Sequence, residues 1–168
     1  AEWSWNSKGR SPREFAETYA IRMRHPRPGL FADWAELIGS AGWDLAGVRL
    51  VERLISNPGR TLSGVPEATE LRLDRMPRMQ FGQGYLAEFP NESALDLKTH
   101  MASQALQLAE VSGNAQMVNE SRCVLAAFHL LKGLWKLSLA RDTEQAALSS
   151  QVASALSAID EASQVLTV

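Results

Sequence analysis

Apolar side chains recur along most of this chain at intervals of three and four, the spacing of one face of an α-helix. The first such segment opens at Ser11-Pro12-Arg13-Glu14. Ser11 can cap, Pro12 suits the first helical position, and Glu14 can reach back to the cap N–H, which together make a capping box. Phe15, Ala16, Tyr19, Ala20 and Met23 then share a face, which predicts a helix to about Arg24. His25-Pro26-Arg27-Pro28-Gly29 ends it, because proline cannot continue the hydrogen-bond ladder. A second helix is predicted over Leu30–Ile38, striped by Phe31, Trp34, Ala35 and Ile38 and broken by Gly39-Ser40-Ala41-Gly42. A third, from about Trp43 to Ile55, carries Trp43, Leu45, Val48, Leu50, Val51, Leu54 and Ile55. That band is wider than one stripe and calls for burial on more than one side.

Asn57-Pro58-Gly59 stops the third helix, and the periodicity lapses over residues 58–92. This stretch holds Pro58, Pro66, Pro77 and Pro90 with Gly59, Gly64, Gly82 and Gly84, and leaves room for one short helix near Glu67–Arg75. A connection of this length is uncommon inside one compact domain, so it reads as a linker lying on a surface, anchored by Phe81, Tyr85, Leu86 and Phe89. Regularity then returns. Helices are expected at about 93–112, 115–140 and 143–166, with Gly113-Asn114 as the first turn and Asp142-Thr143-Glu144-Gln145 as a second capping box. Near-heptad apolar spacing and short turns predict an antiparallel three-helix bundle. The fold class expected is therefore all-α: a 1–57 segment of short helices, a 58–92 linker and a 93–168 bundle.

Composition narrows this picture rather than changing it. The 168 residues are 45% hydrophobic and 21% charged, with a formal net charge of -2. That balance argues against a polyanion binder, and Glu2, Glu14 and Glu17 interrupt the basic run of Lys8, Arg10, Arg13, Arg22, Arg24 and Arg27. No nucleic-acid partner is expected. No apolar run approaches the ~20 residues that cross a bilayer, and no signal peptide is visible, so no membrane partner is expected either. Compartment stays open. The single Cys123 excludes an intramolecular disulfide and a Cys-based zinc site, and within Val124-Leu125-Ala126-Ala127-Phe128 it reads as a buried small hydrophobe.

Candidate chemistry is sparse. Glu2, Asp33, Glu36 and Asp44 lie in the Trp-rich part of the chain, but their spacing makes no general acid and nucleophile pair, and solvent-facing carboxylates explain them better. His25, His100 and His129 are scattered, so no metal site and no cofactor is expected. Gly82-Gln83-Gly84 lacks the strand, helix and Lys of a phosphate loop, and a turn explains it. Arg122 and His129 are two helical turns apart and share a face. Their spacing resembles the Arg-x4–6-His signature of HEPN-type ribonucleases, in which the pair meets its copy across a dimer. The residues between them are nearly all apolar, unlike that family's usual polar residue after the Arg.

The aromatic distribution is the more informative feature. Trp3, Trp5, Trp34 and Trp43 fall within the first 43 residues, and aromatics both stack on sugar rings and anchor interfaces. Ala1-Glu2-Trp3-Ser4-Trp5-Asn6-Ser7 resembles the segment just beyond the last barrel strand in O-GlcNAcase-type and β-N-acetylhexosaminidase-type glycoside hydrolases. The first group carries Ala-Asp-x-x-Trp-Asn-Pro there and the second Ala-Glu-x-x-Trp-Ser-Asn. Here Ala1, Glu2, Trp5 and Asn6 match, with Ser7 where one group has Pro. The resemblance implies a non-catalytic, all-α region that follows a (β/α)8 catalytic barrel cleaving N-acetylhexosamine-type sugars. The catalytic carboxylates of those families lie upstream, so no catalytic residue carries over. The implied partner is that barrel, with a homodimer as a further option. Trp3, Trp5, Asn6, Trp34 and Trp43 are the binding or interface candidates. A docked region predicts an apolar patch around Trp3, Trp5 and Phe15 larger than monomers normally expose. The alternative, a free-standing helical interaction module, predicts a polar exterior there. A HEPN-like ribonuclease, with Arg122 and His129 as its pair, is the third reading.

Overall fold

A computed structural model describes residues 9–48, 79–140, 153, 156–158, 160, 161 and 164. Among them all regular structure is helical and no strand occurs, so the chain is all-α. Helix α1 spans Pro12–Arg22, α2 Pro28–Val48, α3 Glu92–Ser112 and α4 Ala115–Ala140, with a short 3-10 turn at Gly84–Leu86. Residues 153, 156–158, 160, 161 and 164 are also helical. The expected Glu67–Arg75 helix, the third helix beyond Val48 and the capping box at 142–145 lie outside the described residues.

The start of α1 follows from its capping box. Ser11 N donates to Glu14 Oε2 at 2.7 Å, and Glu14 N donates to Ser11 Oγ at 3.2 Å. The helix stops two residues earlier than its pattern suggests. Arg24 takes a left-handed φ of 55°, which costs about 1 kcal/mol in a residue with a Cβ. Two backbone bonds offset that cost, Arg24 N to Ile21 O at 3.0 Å and His25 N to Ala20 O at 2.8 Å. Pro28, two residues after Pro26, then opens α2, where its missing N–H is no loss.

The break expected at Gly39-Ser40-Ala41-Gly42 does not occur, and Pro28–Val48 is one helix. Glycine in a helix costs only about 1 kcal/mol, a local penalty that tertiary packing can override. Here it does. Ala41 is fully buried, a Cβ on Gly42 would lie 4.0 Å from Val124, and neither glycine has a positive φ. Lys98 on α3 locks the same stretch, donating to Ser40 O at 3.0 Å and Ser40 Oγ at 3.1 Å and pairing with Asp44 at 2.9 Å.

Cross-links fix the helix directions. Arg27 Nη1 donates to Val111 O at 3.0 Å at one end of α2, while Lys98 meets Asp44 at the other, so α2 and α3 run antiparallel. The α3–α4 turn uses Gly113 at φ 71° and Asn114, whose Oδ1 accepts from Gln116 N at 3.0 Å and Met117 N at 3.2 Å. Lys132 then pairs with Asp96 across an antiparallel hairpin. Helix α2 packs along this hairpin, and the result is a core shared by regions expected to be separate. Ala41 and Leu45 of α2, Leu86 and Phe89 of the 79–91 segment, and Leu95, Phe128 and Leu131 of the hairpin form one buried cluster.

Residues 79–91 end the expected linker as a packed plug. Leu86 and Phe89 are buried and Phe81 and Tyr85 partly so, as the anchor reading requires. Phe81 packs on Trp135 at 5.0 Å between ring centroids, and Met79 N donates to Ser138 Oγ at 3.3 Å. Cys123, expected inside, is exposed. Ser121, Leu125 and Phe128 point inward, and position 123 is about 200° around the helix from Ser121, on the opposite side.

Candidate functional site

Two surfaces collect the residues singled out above. The first is the outer face of α1. Its Ala20 is buried, and Arg13 ties it to α2 by donating from Nε (3.0 Å) and Nη2 (2.8 Å) to Asp33 Oδ1. Tyr19 packs at a tilt on Phe31 with centroids 6.0 Å apart, and Phe31 continues the aromatic contact to Trp34 at 5.4 Å. The rest of the helix turns apolar groups outward. Phe15 is 45% exposed, Tyr19 48%, Ile21 61% and Met23 64%. Arg10, Phe15, Thr18, Tyr19 and Arg22 line a shallow cleft of about 100 Å³ there.

The tryptophans separate into different environments. Trp34 is no surface anchor: it is buried between α2 and the α3–α4 hairpin, against Ala105, Ala109 and Met117. Its Nε1–H donates to Ser121 Oγ at 2.8 Å, which satisfies both groups in the interior. Trp43, nine residues on, is 80% exposed. Trp3, Trp5 and Asn6 lie outside the described residues. The carboxylates of this region have structural partners, Asp33 with Arg13 and Asp44 with Lys98, while Glu36 is exposed. Gly82 sits in a turn whose N–H is already used, donating to Leu86 O and Phe89 O at 2.9 Å each.

The second surface is a polar cleft of about 240 Å³ where α3, α4 and the helical residues after 153 meet. His129, Lys132 and Lys136 line it from α4, Thr99 from α3, and Ser157, Ala158 and Glu161 from the third side. His129 Nδ1 lies 2.9 Å from Glu161 Oε2. Burial pushes the imidazole below its ordinary range; Glu161 opposes that shift and Lys132 adds to it. The ring is therefore neutral at pH 7 and donates Nδ1–H to the carboxylate, leaving Nε2 as an acceptor. Arg122 stands two turns away on α4 and does not line the cleft. The structure thus groups His129 with Lys132, Lys136 and Glu161 rather than with Arg122. Lys132 and Lys136 follow His129 at helical spacing and were readable as neighbours, but nothing in the sequence sets the register of Glu161 against α4. Among the described residues, no three His, Cys, Asp or Glu side chains gather as metal ligands, and no helix is long and apolar enough to cross a membrane.

Comparison with protein-family models, with curated proteins and with solved structures gave no match.

Proposed function

We propose that this chain is a non-catalytic helical region that docks, through α1 and the stretch before it, on the (β/α)8 barrel of a glycoside hydrolase acting on N-acetylhexosamine-type sugars. The observation that carries this reading is the outward apolar strip of Phe15, Tyr19 and Met23. A free-standing module would turn polar groups outward on this helix, because exposed apolar clusters favour association. The strip comes a few turns of sequence after Ala1, Glu2, Trp5 and Asn6, which carry the resemblance to the post-barrel segment of those enzymes. The barrel supplies catalysis in this reading, and the helices supply stability or an edge of the substrate groove.

The test starts from the coding sequence upstream of Ala1. It is expected to encode a barrel with adjacent acidic residues at a strand end, and the full polypeptide is expected to cleave an aryl N-acetyl-β-glucosaminide. In that polypeptide Trp5→Ala should lower stability by about 3 kcal/mol, the cost of deleting a buried large aromatic. An upstream region encoding no barrel overturns the proposal, as does a Trp5→Ala variant with unchanged melting and unchanged KM.

Trp43 favours a second reading, a helical interaction module. An 80% exposed Trp within a helix is the type of residue that anchors interfaces. Burial of Trp43 on self-association, read as a concentration-dependent blue shift of fluorescence that Trp43→Ala abolishes, would support it. The ribonuclease reading needs Arg122 and His129 to meet a second copy together, whereas His129 is turned to Glu161 of its own chain.

A further inference from the structure

The cleft on the outer face of α1 has a definite chemical character. Phe15 and Tyr19 line it with aromatic surface, and Arg10 and Arg22 bring positive charge to it. The Thr18 hydroxyl donates to Glu14 O at 2.7 Å, so its hydrogen is already used. A guanidinium carries five N–H donors and no acceptor, so contacts within the fold do not exhaust it. What two such groups beside one cleft receive best is a carboxylate, whose two oxygens match the planar fork.

The carboxylates of α1 do not offset this charge at the cleft. Glu14 Oε2 accepts from Ser11 N at 2.7 Å, and Glu17 pairs with Arg13 at 3.6 Å. Arg13 in turn is held by Asp33. Neither Glu14 nor Glu17 lines the cleft. Past the end of the helix the exposed Arg24 and Arg27 carry the same sign onward. Residues 8–27 hold six Lys or Arg against two Glu, although the whole chain has a net charge of -2. The outer face of α1 is thus a positive patch on an acidic chain.

We infer that the surface covering α1 is acidic, and that one of its carboxylate side chains seats in the cleft beside Arg10 and Arg22. This rests on the reading that α1 docks on a further domain of the same polypeptide, and it adds the chemistry of that domain's face. A cleft of about 100 Å³ holds a few water molecules, which is room for one acidic side chain. The flanking rings shield the pair from water and strengthen its charge-assisted bonds. A nucleic acid or an anionic bilayer is a poorer match. Both favour dense positive charge, whereas here the cations are spaced by rings and share the helix with Glu14 and Glu17.

Amide hydrogen exchange of Phe15–Arg22 tests this, in the full polypeptide that the coding sequence specifies and in the chain by itself. In the full polypeptide at about 0.05 M salt, Arg22→Gln should accelerate exchange about tenfold, and Arg22→Glu further. At about 0.5 M salt the difference should shrink. In the chain by itself neither should exceed about threefold, the effect of a last-turn charge on the helix dipole. Phe15→Ala, measured alongside, separates docking from its chemistry. If it loosens α1 in the full polypeptide and Arg22→Glu does not, docking stands and the acidic face is overturned. If neither does, both fall. If the upstream domain is no barrel and Arg22→Glu still loosens α1, the acidic face stands without the barrel. Equal loosening in the chain by itself would place the carboxylate within this chain and overturn the inference, as would the absence of any upstream domain. Sedimentation of the chain with phosphatidylglycerol vesicles, abolished by Arg22→Glu, would identify a lipid partner and overturn it too.

Discussion

Helices α1 and α4 begin with comparable patterns of apolar residues and end in opposite situations. Helix α4 turns Leu125, Phe128, Leu131 and Trp135 into the core, and its partners α2 and α3 supply the small residues Ala41, Ala102 and Ala105 that let the backbones approach. Helix α1 buries only Ala20 and leaves Phe15, Tyr19 and Met23 at the surface. What fastens α1 is mostly polar or peripheral: the Arg13–Asp33 pair and the tilted packing of Tyr19 on Phe31. Apolar periodicity thus says which face of a helix will be covered, but not whether the cover comes from the same fold. In α4 it does. In α1 the fold leaves that face in water, which is why this helix carries the functional proposal.

Phenylalanine occurs in both settings, so the same truncation measures the difference. Phe128 is fully buried and meets Phe89 edge-on, with centroids 6.1 Å apart. Phe128→Ala should destabilise the chain by about 3–5 kcal/mol in denaturant unfolding, the sum of lost transfer energy and a residual cavity. A cost under about 1 kcal/mol would mean that the cluster joining α2, the 79–91 plug and the hairpin is not a core at all.

The next largest effect concerns the link between α2 and α4. Trp34→Phe keeps most of the ring but removes the donor to Ser121, leaving a buried hydroxyl with one partner fewer. A loss of about 1–2 kcal/mol is expected. In a double-mutant cycle with Ser121→Ala, the second change should cost little once the first is made, because both remove the same bond. Additive losses would show that the contact contributes through packing alone.

How far these settings could be read in advance depended on whether the deciding interaction was local. The capping box at Ser11-Pro12-Arg13-Glu14, the turn at Gly113-Asn114 and the span of α4 were all legible, since each is set by residues within a few positions. The plug residues Leu86 and Phe89 were legible too, as the largest apolar groups in an irregular stretch. Distant partners decided the rest. The Gly39–Gly42 turn stays helical because Ala41 is buried and Gly42 faces Val124 of α4, and Lys98 holds the turn at Ser40 from 58 residues away in sequence. Trp34 became a core residue through a hydroxyl 87 positions on. The His129 cleft needed the register of Glu161, which no periodicity contains.

Smaller still is the effect of the α1 cap. Ser11→Ala removes the acceptor for Glu14 N and should cost about 1 kcal/mol. The contrast with α4 predicts where that loss falls. Helix α1 shares few buried contacts with the rest, so its own amides should exchange faster while those of α4 hold. A uniform rise in exchange would show that α1 unfolds together with the core.

The smallest expected effect is the most telling one. Phe15→Ala removes the same atoms as Phe128→Ala, but from a side chain already half in water, and alanine is the better helix former. In the chain by itself the change should stay within about 0.5 kcal/mol of zero, as for surface positions generally. Attached to the proposed barrel, the same substitution should approach the cost at Phe128, because the partner then completes the burial that this fold leaves undone. The difference between the two measurements isolates the partner's share from any intrinsic effect on α1, since helix propensity and unfolded-state terms cancel. A value near zero in both settings would place the α1 strip outside the docking face, whatever the upstream sequence encodes.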